Sequence, residues 1–168
     1  MKYVLSRFEN RFSMVIAILA LALGGLAAPV AHAAAMGDTL ENGFLATFKG
    51  TPYSAPATTY VGLSTTACGD ASFGTEISGG SYARVAVASN GTNWTGPTAG
   101  DGTIANGATI TFPAPTASWG SVTHWFIADA SSAGNVLVCA ALTTPKTINN
   151  GDAAPSFAVG ALTFQIDD

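Results

Sequence analysis

Ten acids against six Lys or Arg in 168 residues give a net charge of −4. That balance leaves no electrostatic footprint for nucleic acid and little attraction to an anionic membrane surface. Charged residues make up only 10% of the chain, so the surface has to be largely neutral and hydroxyl-rich, suited to packing against copies of itself or against sugars.

The chain starts with a basic segment (Lys2, Arg7, Arg11), moderated by Glu9, then an uncharged apolar run, Met14–Leu26, then Pro29 and Ala31-His32-Ala33. These are the parts of a secretory signal peptide in their usual order. The apolar run is shorter than the roughly 20 residues that span a bilayer. Cleavage is expected after Ala33, leaving Ala34 as the mature N-terminus, with residues 1–33 as leader and 34–168 as one domain. An uncleaved N-terminal anchor is the alternative. The expected location is secreted, extracellular or at the cell surface, with the periplasm also open. Without the leader, three cations (Lys49, Arg84, Lys146) face nine acids, a net charge of −6. Cys68 and Cys139 remain. An even count in an exported chain points to a disulfide, against free or intermolecular thiols.

Asp38-Thr39-Leu40-Glu41 reads as a capping box. Leu40, Phe44, Leu45 and Phe48 then recur at helical spacing up to Gly50. This short helix is expected to lay its apolar stripe on a sheet. Thr58–Ser64 reads as a strand and Thr65–Gly80 as a loop carrying Cys68. Ser81–Ser89 reads as a half-buried strand, with Ala83, Val85 and Val87 on one face and Tyr82 and Arg84 on the other. Asn90–Gly107 reads as a loop anchored by Trp94, and Thr109–Phe112 as a short strand. The densest apolar stretch runs from Ile110 to Ile148. Its centre is a hairpin of Val122–Ala130 and Asn135–Leu142, followed by a turn and a strand at Lys146–Ile148. Ser156–Val159 and Ala161–Ile166 close the domain. About eight short strands and one N-terminal helix argue for an all-β, antiparallel β-sandwich or jelly-roll-like domain.

One ordered set of segments carries a resemblance. It includes Tyr60-Val61-Gly62-Leu63-Ser64-Thr65, Gly80-Ser81-Tyr82-Ala83-Arg84-Val85, Asn93-Trp94 and Ile110-Thr111-Phe112-Pro113. It continues with Trp119-Gly120-Ser121-Val122-Thr123-His124-Trp125, Ala141–Asn149 and Gly160-Ala161-Leu162-Thr163. Over Met36–Asp168 this resembles a family of small tailed-bacteriophage proteins labelled tail-fibre or minor virion structural proteins. The resemblance implies a β-rich virion component with no cofactor and no catalytic residues. The chain departs from that pattern in its leader and in both Cys, and export and an added Cys pair fit together in an oxidising compartment.

Catalytic and metal chemistry find little support. His124 has no G-x-S-x-G nucleophile to serve and reads as a structural strand residue. A zinc site needs three or four ligands, and Asp101, Asp129 and Asp152 sit among turn residues. No catalytic, metal or cofactor site is therefore expected. The leading expectation is an exported, non-enzymatic structural protein that self-assembles or attaches to a surface as a fibre, appendage or coat subunit, with a homo-oligomer as partner. The alternatives are a secreted carbohydrate-binding or adhesion module reading a cell-surface glycan through Trp94, Trp119 and Tyr82, and a prophage virion tail protein whose true start is Met36.

Overall fold

A computed structural model of the chain describes residues 35–97 and 102–165. The expected cleavage site at Ala33–Ala34 and the turn residue Asp101 lie outside them. In chain order the elements are β1 (Ala35–Met36), α1 (Asp38–Thr47), β2 (Thr58–Ser64), β3 (Val85–Ala88), β4 (Trp94–Thr95) and β5 (Thr103–Asn106). There follow β6 (Ile110–Thr111), β7 (Gly120–Ala128), β8 (Val136–Ile148), β9 (Ser156–Phe157) and β10 (Thr163–Gln165). Among the described residues the fold is all-β and antiparallel, with one short helix, α1.

The larger sheet has the order β1-β8-β7-β2-β3, a smaller one the order β10-β5-β4, and β6 pairs with β9. The β7–β8 hairpin is the spine. It sets Phe126 against Cys139 and Trp125 against Ala140, while β2 sets Gly62 against Phe126 and Leu63 against Trp125. Alternation along the strands then sorts the side chains to two faces. Val61, Leu63, Val122, Trp125, Ile127 and Val138 meet Ile110, Phe112, Trp119 and Leu162 in the main core. The opposite face carries Phe126, fully buried. A Cβ on Gly62 would come 2.2 Å from the Phe126 ring, so the bare backbone there makes room for that ring.

Loop 65–80 covers this second face. Cys68 and Cys139 are joined in a disulfide, 6.0 Å between Cα atoms. Phe73 packs on Phe126 with centroids 4.7 Å apart. Phe112 and Trp119 stack around Tyr82 on the main-core side.

Four expectations need correction. The N-cap of α1 is Gly37, with no side-chain cap bond, and Asp38 is the first helical residue. Gly37 donates its N–H to Leu137, and a Cβ there would strike the Val136 carbonyl at 2.2 Å. The close approach to β8 therefore decides the start of the helix, and not the Asp38–Glu41 box. The strand expected over Ser81–Ser89 is only Val85–Ala88. Ser81 has φ 63 after left-handed Gly79 and Gly80, so the chain turns until it reaches Tyr82, and Arg84 is buried. The turn expected before Lys146 is a bulge within one continuous strand. Between the pairs His124↔Ala141 and Val122↔Lys146, β8 passes Leu142 to Pro145 while β7 passes only Thr123. Pairing of β7 with Thr147 and Ile148 on the far side keeps the strand going. The loop expected over Asn90–Gly107 contains β4 and β5, which pair with each other, and β5 pairs with β10 as well.

Candidate contact surface

Helix α1 buries no residue. Leu40 is half-buried against the core, whereas Phe44 is 38%, Leu45 64% and Phe48 90% exposed. The stripe expected to lie on the sheet thus turns largely to solvent. The cause is local: the helix is pinned at its start, by Gly37 N–H to Leu137 and Asp38 N–H to Asp70. Further along, Phe44 contacts the Tyr53 ring, at 5.6 Å between centroids. Aromatic and aliphatic side chains held out on one helix face are costly to leave wet, at roughly 1.5–3 kcal/mol for each side chain that burial would gain.

Beside this face lies an apolar groove of about 500 Å³, lined by Leu40, Phe44, Tyr53, Pro56, Trp94, Ile104 and Phe164 among others. Trp94 meets Phe164 edge-on at 5.9 Å. Its indole N–H is buried with no hydrogen-bond acceptor among the described residues, an unusual state for a buried donor. The phenol of Tyr53 is pushed above its ordinary value, by burial first and by the charge of Asp129 second.

The three aromatic residues read as glycan contacts are placed apart. Trp94 lines the groove. Trp119 is 5% exposed and donates its indole N–H to the Gly80 carbonyl at 2.9 Å. Tyr82 packs on Trp119 with centroids 5.4 Å apart. Its hydroxyl accepts from Leu63 N–H at 2.8 Å and donates to Glu76 Oε1 at 3.2 Å. Trp119 and Tyr82 are thus packing residues, not neighbours of Trp94 on one platform.

His124 is half-buried in β7 across from Ser64 and Ala141, with Thr123 Oγ1 2.8 Å from Nδ1. The Asp129 carboxylate accepts from Asn135 N–H and Nδ2, each at 2.7 Å, and so closes the β7–β8 hairpin. Asp152 accepts from Asn149 N–H at 2.7 Å. Among the described residues no group of three His, Cys, Asp or Glu is placed to hold a metal ion. No described helix is long and apolar enough to cross a membrane.

Sequence reasoning missed a buried polar assembly around Arg84. Arg84 lies against both the Phe73 and Phe126 rings, 4.3 and 5.0 Å from their centroids. Its Nε and Nη2 donate in a fork to Glu76 at 2.7 Å each. Its Nη1 donates to the Ala130 and Ala133 carbonyls at 2.8 Å. Every arm of the guanidinium has a partner, so a buried charge is tolerated. The assembly joins loop 65–80 to the hairpin turn and is architectural. One signal was available in the sequence: Arg84 is one of only three Lys or Arg residues after residue 33.

Tyr82 ties this assembly to the core, and its pKa gives it a pH signature. Burial raises it well above the ordinary 10.0, and the charge of Glu76 and the hydrogen bond to it push the same way. The Leu63 N–H and Arg84 pull it down. The folded state therefore holds its proton after the unfolded chain has lost it. The stability this contributes is fully present below pH 10 and is lost as pH rises from there toward the folded value, by up to about 1.4 kcal/mol per pH unit. Denaturant titrations between pH 8 and 11 should show that loss, reduced in Tyr82→Phe. An unchanged slope in the variant would refute the assignment.

Comparison with curated proteins gives no match. The sequence model of one family does match, over residues 35–165, and its description is podophage GP4 fiber I protein gp80. Those limits run from the first residue of β1 to the last of β10. The match takes in all three sheets, α1 and the apolar groove, and so this chain belongs to the gp80 family of podophage fibre proteins.

Proposed function

We propose that this chain is an exported, non-enzymatic structural subunit that works by self-association or by attachment to a surface. The observation that carries the reading is the apolar face of α1, with Leu45 and Phe48 held out in solvent by a helix that buries none of its own residues. Contiguous exposed apolar side chains on an otherwise neutral domain mark a contact surface. Membership of a fibre family supports the structural role. The leader pattern supports export, and the paired cysteines fit an oxidising compartment.

Sedimentation and electron microscopy of the processed protein test this. Association should be concentration-dependent, and replacing both Leu45 and Phe48 with Ala should weaken it about a hundredfold, as expected for two side chains losing burial. A wild-type protein that stays monomeric at high concentration, with no assemblies visible, rules the reading out.

A further inference from the structure

We infer that α1 pairs antiparallel with α1 of a second copy, in a two-fold contact centred near Leu45, which is exposed and shares its helix face with Asp38, Glu41, Phe48 and Lys49. The inference rests on the self-association proposed above and names its partner and geometry. The helix is electrically lopsided. Asp38 and Glu41 stand in its first turn, and Lys49 follows its last. Phe48 has helical angles, φ −68 and ψ −18, so the helical path carries on to Lys49. Lys49 is exposed and makes no ion pair among the described residues. Arg84 is buried in its own pair, whereas Lys49 stands exposed just past the end of α1.

Two copies laid antiparallel with Leu45 on the axis bring residue 49 of one helix over residue 41 of the other. Lys49 then lies beside Asp38 and Glu41 of the partner, twice over by symmetry. The helix dipoles oppose favourably as well. A parallel arrangement would set acid against acid and lysine against lysine. An apolar partner of any other kind would be satisfied by Leu45 and Phe48 alone. The acidic start and cationic end of one short helix select an antiparallel copy.

Charge reversal tests the geometry. At low salt, Lys49→Glu should weaken association about tenfold, because two favourable exposed pairs become repulsive. Asp38→Lys with Glu41→Lys should do the same. All three changes together should restore wild-type association, and the differences should vanish at high salt. Far-UV circular dichroism checks that each variant keeps its fold. If Lys49→Glu associates as tightly as wild type, or the triple variant fails to recover, the antiparallel pairing is overturned. If Phe48→Ala abolishes association while the charge variants do not change it, self-association stands and this pairing falls. A monomeric wild type removes both.

Discussion

Glu76→Ala is expected to cost about 3–5 kcal/mol of stability, more than the loss of its partner Arg84. The asymmetry follows from where each charge sits. The Arg84 side chain is 2% exposed and that of Glu76 27%. Without Glu76, a guanidinium remains against two aromatic rings with a fork of donors unpaired and no route to water. Without Arg84, the Glu76 carboxylate can recover part of its hydration. The cost of Arg84→Met is then the unpaired Ala130 and Ala133 carbonyls and the lost stacking, about 2–3 kcal/mol. Replacing both with apolar side chains, Glu76→Leu with Arg84→Met, should recover part of the loss, since buried ion pairs seldom outperform well-packed apolar groups. Urea denaturation of the four proteins measures the order. Equal costs for the two single changes would show that desolvation of the charges is not what sets them.

The same assembly shows where sequence reading stops. Strand β2 was legible to the residue, Thr58–Ser64, because β-branched residues and alternation agree there and turn residues bound it on both sides. The β7–β8 hairpin and the Cys68–Cys139 pairing were legible for similar reasons of pattern and count. Arg84 was legible only as an alternating polar position. Its partner lies in a loop eight residues back, and its other contacts come from Ala130 and Ala133, carbonyls that any residue type would supply. Strands β4 and β5 were hidden for another reason. Thr103–Asn106 is ordered by pairing with Thr163–Gln165, and Asn106 is fully buried because its amide bonds Ala108, Ala158 and Leu162. Partners nearly sixty residues away leave no local periodicity. For the contact surface, the apolar spacing on α1 was visible but its direction was not. Spacing fixes which residues share a face. Only the pinning of Gly37 against β8 decides where that face points.

Reduction of the Cys68–Cys139 bond should lower stability by about 4 kcal/mol, the chain-entropy value for a loop closed across 71 residues. For a domain of this size that corresponds to a drop in Tm of about 10–20 °C. In this account the bond acts mainly on the unfolded chain. The reduced protein should therefore keep its near-UV circular dichroism, with Trp119 and Trp125 still in the core. Loop 65–80 tests whether that account is complete, because two devices hold it in place. The disulfide anchors Cys68 to β8, and Glu76 anchors its other end to Arg84. If reduction merely frees the unfolded chain, its cost and the cost of Glu76→Ala should add to within about 0.5 kcal/mol. If it instead releases the loop in the native state, Phe73 and Glu76 leave Arg84 together. The second change then costs little once the first is made, so the combined loss falls short of the sum. Thermal denaturation of both proteins, oxidised and reduced, separates the two. Additivity is the expected result, because Phe73 on Phe126 and the Glu76 fork hold the loop without help from sulfur. A clear shortfall would instead make the disulfide a native-state clasp over the buried arginine.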